Sequence, residues 1–281
     1  MTSSRRNMKS AICYLMLTCL CLVSPCLFAQ QTAQTSIAIS PTAHYFNYTE
    51  FDDNGVELDK ETGFIPGIEF SASRAVGLKQ NVLSIKAAYF SGKVDYDGQT
   101  QGGTPFQTET DQTLYDIGLR YSWKTNTPSA PERLYLGISL HHWDRDIQGK
   151  GNVSGLFETY RWGEAALGLI HPFYTSLAGQ IILDAGLLYI VNPEITIDLT
   201  PFGYGEPTLD LGSRLGSRFK LIFQSNVNNS LQYSAALYFE AWNFGRSADK
   251  TLGSLTNSII VHEPKSETRN AGIQLTIKKY F

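Results

Sequence analysis

The chain has 281 residues, with 23 Lys and Arg against 26 Asp and Glu, 17% charged and 12% aromatic residues, and 24 glycines. The charged fraction lies below the ~25% of an average soluble domain, and the slightly acidic balance lacks the basic footprint of a nucleic-acid-binding surface. All four cysteines, Cys13, Cys19, Cys21 and Cys26, fall near the start of the chain, so downstream of them a disulfide framework, a cysteine–zinc site and a cysteine nucleophile are excluded.

Residues 1–29 have the pattern of an export signal peptide: Arg5, Arg6 and Lys9 form a basic head, 11–22 an apolar stretch, and Ser24-Pro25 a break before Ala29. Cleavage is expected after Ala29 or, a few residues on, after Ala33. Loss of that segment removes three basic residues, so 20 basic residues face 26 acidic ones over 30–281. No later stretch holds the ~18 consecutive apolar residues that a membrane-spanning helix requires. If 30–281 enters a bilayer, it does so as strands.

Alternation of apolar with small or charged residues dominates this part of the chain, the mark of a strand with two unlike faces. It marks ten candidate strands at 36–50, 64–75, 82–95, 109–123, 133–146, 157–171, 176–191, 207–223, 231–244 and 269–281. The connections 51–63, 96–108, 147–156, 192–206 and 245–268 are long, whereas 76–81, 124–132, 172–175 and 224–230 are short and rich in turn-forming residues. Strands of this length cover a bilayer when tilted, which takes about 9–11 residues. A soluble β-sandwich is the competing architecture, but its strands usually run to only about 5–6 residues.

In the last segment Ile273, Leu275, Ile277 and the terminal Phe281 share one face. With the preceding alternation, this ending resembles bacterial outer-membrane β-barrel proteins; Lys279 departs from the apolar or aromatic residue usual at its position. The resemblance implies an all-β, antiparallel up-and-down transmembrane β-barrel over 30–281, of about ten strands, with eight or twelve as neighbouring counts. It also implies both ends on the periplasmic side, a cell outer-membrane location, contact with outer-membrane lipid and lipopolysaccharide, and barrel-insertion machinery that reads Ile277 and Phe281. Tyr45, Tyr89, Tyr121, Trp123, Tyr189 and Phe281 lie near strand ends on the apolar face, where an interfacial girdle belongs.

The opposite face carries Glu69, Lys86, Asp116, Arg120, Glu164, Asp184, Asp210, Arg214, Arg218, Glu240 and Lys278. A ten-stranded barrel is only slightly wider than the eight-stranded kind that side chains fill, so these charges are expected to pair across the lumen. Phe90, Tyr238 and Trp242 share that face and occupy space. The alternative is a narrow solute pore lined by the same charges.

The densest polar run, from His141 to Asp146, stands at the outer end of the fifth candidate strand. His142, Asp144 and Asp146 share one face there, and His141, Trp143 and Arg145 the other. The first set has residue types for a metal or for activating water, but nothing completes such a site at recognisable spacing. Ten-stranded omptin proteases use an Asp pair facing an Asp–His pair; Asp144 and Asp146 fit the first half, and no Asp-x-His occurs. Phosphate-binding glycine loops and a Gly-x-Ser-x-Gly elbow are likewise missing. The acidic stretch 51–63 suits bridging of lipopolysaccharide-held cations, and 245–268 holds an apolar run at 258–261. The favoured function is a non-enzymatic membrane or surface-interaction barrel without cofactor or metal and with an unknown surface ligand; a narrow pore and a rim hydrolase are the alternatives.

Overall fold

The computed structural model describes residues 34–77, 81–100, 102–125, 132–254 and 257–281, so the signal peptide expected at 1–29 lies outside the described residues. Thirteen strands follow in chain order. The first seven are β1 (Thr35–Phe51), β2 (Glu57–Val76), β3 (Asn81–Gln99), β4 (Pro105–Lys124), β5 (Arg133–Ile147), β6 (Leu156–Ser176) and β7 (Gly179–Asp198). The others are β8 (Thr208–Asp210), β9 (Leu215–Asn228), β10 (Leu231–Phe244), β11 (Lys250–Ser254), β12 (Asn257–Val261) and β13 (Lys265–Tyr280).

Ten of these strands close an antiparallel barrel. Strands β1 to β7 form a meander, β9, β10 and β13 continue it, and β13 pairs back to β1 with Ile39 opposite Ile277 and Tyr45 opposite Ala271. Closure leaves no edge strand within the ten-stranded wall. Strand β8 adds onto β7 beside the barrel rim, and β11 and β12 form a separate hairpin.

Alternation decides which side chain faces which medium. On β5, Ile138 and Leu140 are 63% and 66% exposed, while the intervening lumen side holds buried Tyr135 and His141. The same outward pattern includes Ile37, Ile39 and Tyr45 on β1, Leu83, Ile85 and Tyr89 on β3, Leu167 and Leu169 on β6, Leu187 and Tyr189 on β7, and Ile273, Leu275 and Ile277 on β13. Together they form an apolar belt around the wall. Exposure of each such side chain to water would forfeit about 1.5–3 kcal/mol of burial. Inside, small residues make room for large ones: a Cβ on Gly168 would lie 2.4 Å from the Tyr135 ring, and one on Gly186 2.3 Å from its hydroxyl.

The strand boundaries correct the sequence-based expectation at one rim. Parts of the long connections are strand: β2 starts at Glu57 and β3 runs on to Gln99, so strands project beyond the belt and loops such as 52–56 are short. At the other rim, β6 continues through His171 and Pro172 to Ser176, with a register shift at Pro172/Tyr174 where the missing proline N–H interrupts the ladder.

The segment 207–223 is not one strand. Leu209 and Leu211 are buried at the mouth, whereas Leu215 and Phe219 are exposed on the belt. An unbroken strand would keep these same-parity residues on one face. The break falls at Gly212, whose backbone exchanges hydrogen bonds with Gly245 at 3.0 and 2.7 Å. A Cβ on Gly212 would stand 2.9 Å from Gly245 Cα, so the close approach requires the absence of side chains.

Candidate functional site

The interior has two charged layers separated by aromatic residues. At belt level, Arg218 donates from Nε to Glu240 Oε2 at 2.7 Å and from Nη2 to Glu164 Oε1 at 3.2 Å. His141 Nδ1 lies 2.6 Å from Asp116 Oδ1, and its Nε2 lies 3.7 Å from Glu164 Oε2. Arg120 donates to Asp184 Oδ2 at 2.7 Å with its guanidinium 4.0 Å from the Tyr135 ring centre. Lys220 Nζ donates to Gln274 Oε1 at 3.1 Å.

Of the lumen residues singled out in the sequence, the structure brings together Asp116, Glu164, Arg218 and Glu240, with Arg120 and Asp184 as a second pair. Glu69 and Lys86 line the same interior cavity. Lys278 faces inward on β13 with Gln232 opposite. Two expected members are displaced. Asp210 is exposed on β8 opposite Glu194, and Arg214 is exposed with its guanidinium donating to the Ser213 carbonyl at 3.2 Å. Both fall at the break that reverses the facing of the 207–223 segment.

The cavity in this layer measures about 60 Å³. Four of its lining side chains present buried polar atoms without a hydrogen-bond partner: His44 Nε2, His141 Nε2, Trp242 Nε1 and Asn270 Oδ1. A polar void of that size, with donors and acceptors converging on it, is suited to a few ordered waters.

Above the belt, aromatic side chains close the mouth. Trp143 stacks on Tyr160 at 4.5 Å between ring centres, and Tyr160 on Phe244 at 5.7 Å. Trp162 packs edge-on to Phe244 at 5.2 Å, and Phe46 and Tyr48 meet Trp143 edge-on at 5.8 and 5.2 Å. Phe46, Tyr48, Trp143 and Tyr160 have no exposed surface. The Trp143 indole N–H donates to Gln112.

Over this plug sits Arg145, which is 1% exposed and bonded to four carboxylates. Its Nη1 donates to Glu50 at 2.8 Å and Glu158 at 2.7 Å, its Nε to Glu61 at 2.9 Å, and its Nη2 to Asp59 at 3.2 Å. Glu61 also accepts from Thr110 at 2.7 Å and Gln112 at 2.6 Å. A fifth carboxylate, Glu263, enters from the segment after β12 and accepts from the Tyr160 hydroxyl at 2.6 Å. Burial, with Glu50 and Glu158 nearby, holds the Glu263 carboxyl well above its ordinary titration range.

Sequence reading missed this cluster because it assigned Asp59, Glu61 and Glu263 to loops. The available signal was the alternation itself, which continues through 57–65 and pairs Glu50 with Asp59 and Tyr48 with Glu61. The acidic stretch 51–63 therefore turns two of its carboxylates inward, away from the surface role expected of them.

The rim run 141–146 is divided between the two sides of the wall. His141, Trp143 and Arg145 point inward. On the outer side, His142 Nε2 lies 3.0 Å from Asp144 Oδ1, Asp144 accepts from Thr159 at 2.8 Å, and Asp146 is exposed. Among the described residues, no three or more His, Cys, Asp or Glu side chains are placed to hold a metal ion. At the C-terminus, Ile277 and Phe281 are 46% and 69% exposed on the outer wall, and the Phe281 N–H donates to the Thr35 carbonyl at 2.9 Å.

Neither a protein-family model nor a curated protein sequence matches the chain. Among solved structures, the outer membrane protease OmpT from Escherichia coli matches with a TM-score of 0.56 at 11% identity, covering 92% of this chain and 99% of that one. The translocator domain of the autotransporter NalP from Neisseria meningitidis matches with a TM-score of 0.45 at 9% identity, covering 100% and 97%. OprG from Pseudomonas aeruginosa matches with a TM-score of 0.37 at 11% identity, covering 89% and 96%. The chain has the fold of bacterial outer-membrane β-barrels.

Proposed function

We propose that the chain is an integral outer-membrane barrel with a closed lumen, acting without catalysis through the surface its strands raise above the membrane. The observation that carries this reading is the mouth plug: stacked Trp143, Tyr160 and Phe244, capped by the Arg145 cluster, occupy the cross-section a solute would need. Below them, the Arg218, His141 and Arg120 pairs occupy the lumen at belt level. The outer partners in this reading are outer-membrane lipid and lipopolysaccharide along the belt, a surface ligand at the projecting strands, and the insertion machinery at Ile277 and Phe281. The His142–Asp144 pair faces outward beside Tyr115, a position suited to polar headgroups.

Single-channel recording in planar bilayers tests the proposal. The folded protein is expected to be silent, with heat-modified gel mobility confirming the barrel in the same sample. Steady ion-selective steps would replace this reading with the narrow-pore one and make the Arg218 layer its filter.

A further inference from the structure

The β11–β12 hairpin lies over the plugged mouth, and one buried side chain ties it there. Ser247 and Glu263 close its base: the Ser247 N–H donates to the Glu263 carbonyl at 3.0 Å, and the Glu263 N–H to Ser247 Oγ at 2.8 Å. From this base the Glu263 side chain reaches Tyr160, and Val261 packs on the aromatic core. The other ties are peripheral: partly exposed Arg246 with exposed Asp53 at 3.4 Å, and Lys250 donating to the Thr208 carbonyl at 3.0 Å. Exposed pairs of this kind contribute little.

The charges around Glu263 do not balance. Tyr48 and Glu50 face it from β1, Arg145 from β5, and Glu158 and Tyr160 from β6, while Asp59 and Glu61 of β2 hold the same Arg145. That is five carboxylates, counting Glu263, around one guanidinium. Full ionisation would bury a large uncompensated negative charge at heavy desolvation cost.

Hydrogen bonds show where protons are least excluded. Glu61 is met by three donors, Thr110, Gln112 and Arg145. Glu50 is met by Tyr48 and Arg145. Glu158 is met by Arg145. Asp59 has one buried oxygen, Oδ1, without a partner. Among the described residues, the Glu263 carboxylate receives only the Tyr160 hydroxyl. Donors thus concentrate on Glu61 and Glu50, whereas Asp59, Glu158 and Glu263 each receive one.

We propose that this cluster is a proton-binding site that latches the β11–β12 hairpin over the barrel mouth, docked when Glu263 and its neighbours carry protons and released when they ionise. Glu263 is the one member on the movable segment, so ionisation places its charge against Glu50 and Glu158, and the hairpin relieves the repulsion by lifting into water. The raised titration range of Glu263 agrees in direction. The latch is independent of whether the lumen conducts.

Distance measurement between spin labels tests it. Cys13, Cys19, Cys21 and Cys26 are changed to alanine so that no native thiol is labelled. Labels at Thr251→Cys, on the hairpin, and Ser154→Cys, on the loop after β5, report the hairpin position in protein isolated from outer membranes. A Glu57→Cys/Ser154→Cys pair controls for motion of the barrel itself. Between pH 5 and pH 9 the hairpin distance is expected to lengthen and broaden by at least about one strand spacing, ~5 Å, with the control pair unchanged. Glu263→Gln is expected to stay docked at both pH values. A hairpin distance that does not change with pH, or a Glu263→Gln protein that lifts like the parent, overturns the proposal.

Discussion

Arg145 and Glu61 lie 84 residues apart in sequence and meet at 2.9 Å at the barrel mouth, both with almost no exposure. The pair joins β5 to β2, which are not neighbours in the sheet, and so braces the mouth across its opening. Removal of Arg145 leaves Glu50, Asp59, Glu61 and Glu158 without their common cation. Breaking a buried pair typically costs about 3–5 kcal/mol. Arg145→Met is expected to lower the urea midpoint of the folded gel form sharply, and a midpoint equal to the parent's would contradict the bracing role.

Arg218 and Arg214 provide an internal contrast. Arg218 is buried between Glu164 and Glu240, whereas Arg214 is exposed at the β8–β9 break. Arg218→Met is expected to cost about 3–5 kcal/mol by the same desolvation argument. Arg214→Ala is expected to fall within about 0.5 kcal/mol of the parent, as surface changes do. Equal effects in urea titrations of the two variants would show that the reversal of facing at Gly212 is wrong.

Tyr135 lies over Gly168 and Gly186 on neighbouring strands, where no Cβ has room. Gly168→Ala sets a methyl against both the Ala185 carbonyl and the Tyr135 phenol, and overpacking of this kind costs about 1–3 kcal/mol, of which Tyr135→Ala relieves the phenol's share. The double variant Gly168→Ala/Tyr135→Ala should show a smaller loss than the sum of the two single changes. Strict additivity in the double-mutant cycle would deny the contact.

Glu263 couples stability to pH with a definite sign. Its folded-state carboxyl titrates above the ordinary range, so the protonated form is the one folding prefers. The contribution is full below the unfolded carboxyl value of about 4.3 and is lost as pH rises toward the raised folded value. The hairpin is therefore expected to be cut faster by an added protease near exposed Ile260 as pH rises, after correction for the enzyme's own pH profile. Glu263→Gln should flatten that dependence, and an unchanged slope in the variant would assign it to another group.

Much of the barrel was legible in the sequence because the cause is local. Apolar side chains at every second position on segments such as 273–277 demand lipid on one side, and charges on the alternate parity demand the other. This specifies strands, their facing, and closure of the sheet on itself. The turn rim was also near its expected place, apart from β6 running on through Pro172.

The outer ends and the sites depended on tertiary structure. Asp59 and Glu61 look like loop acids until β1 and β2 pair beyond the belt and turn them toward Arg145. In the 141–146 run, the residues of ligand type on one face, His142, Asp144 and Asp146, are on the outer side, and their neighbours build the interior. Asp210 and Arg214 left the lumen because two glycines, 212 and 245, meet and break the strand between them. By itself the sequence determined the medium each face of an unbroken strand meets, since transfer of a side chain between lipid and water is decided residue by residue. Only the tertiary structure decided which buried charges share a partner, because that depends on strand register and closure, which join residues far apart in the chain.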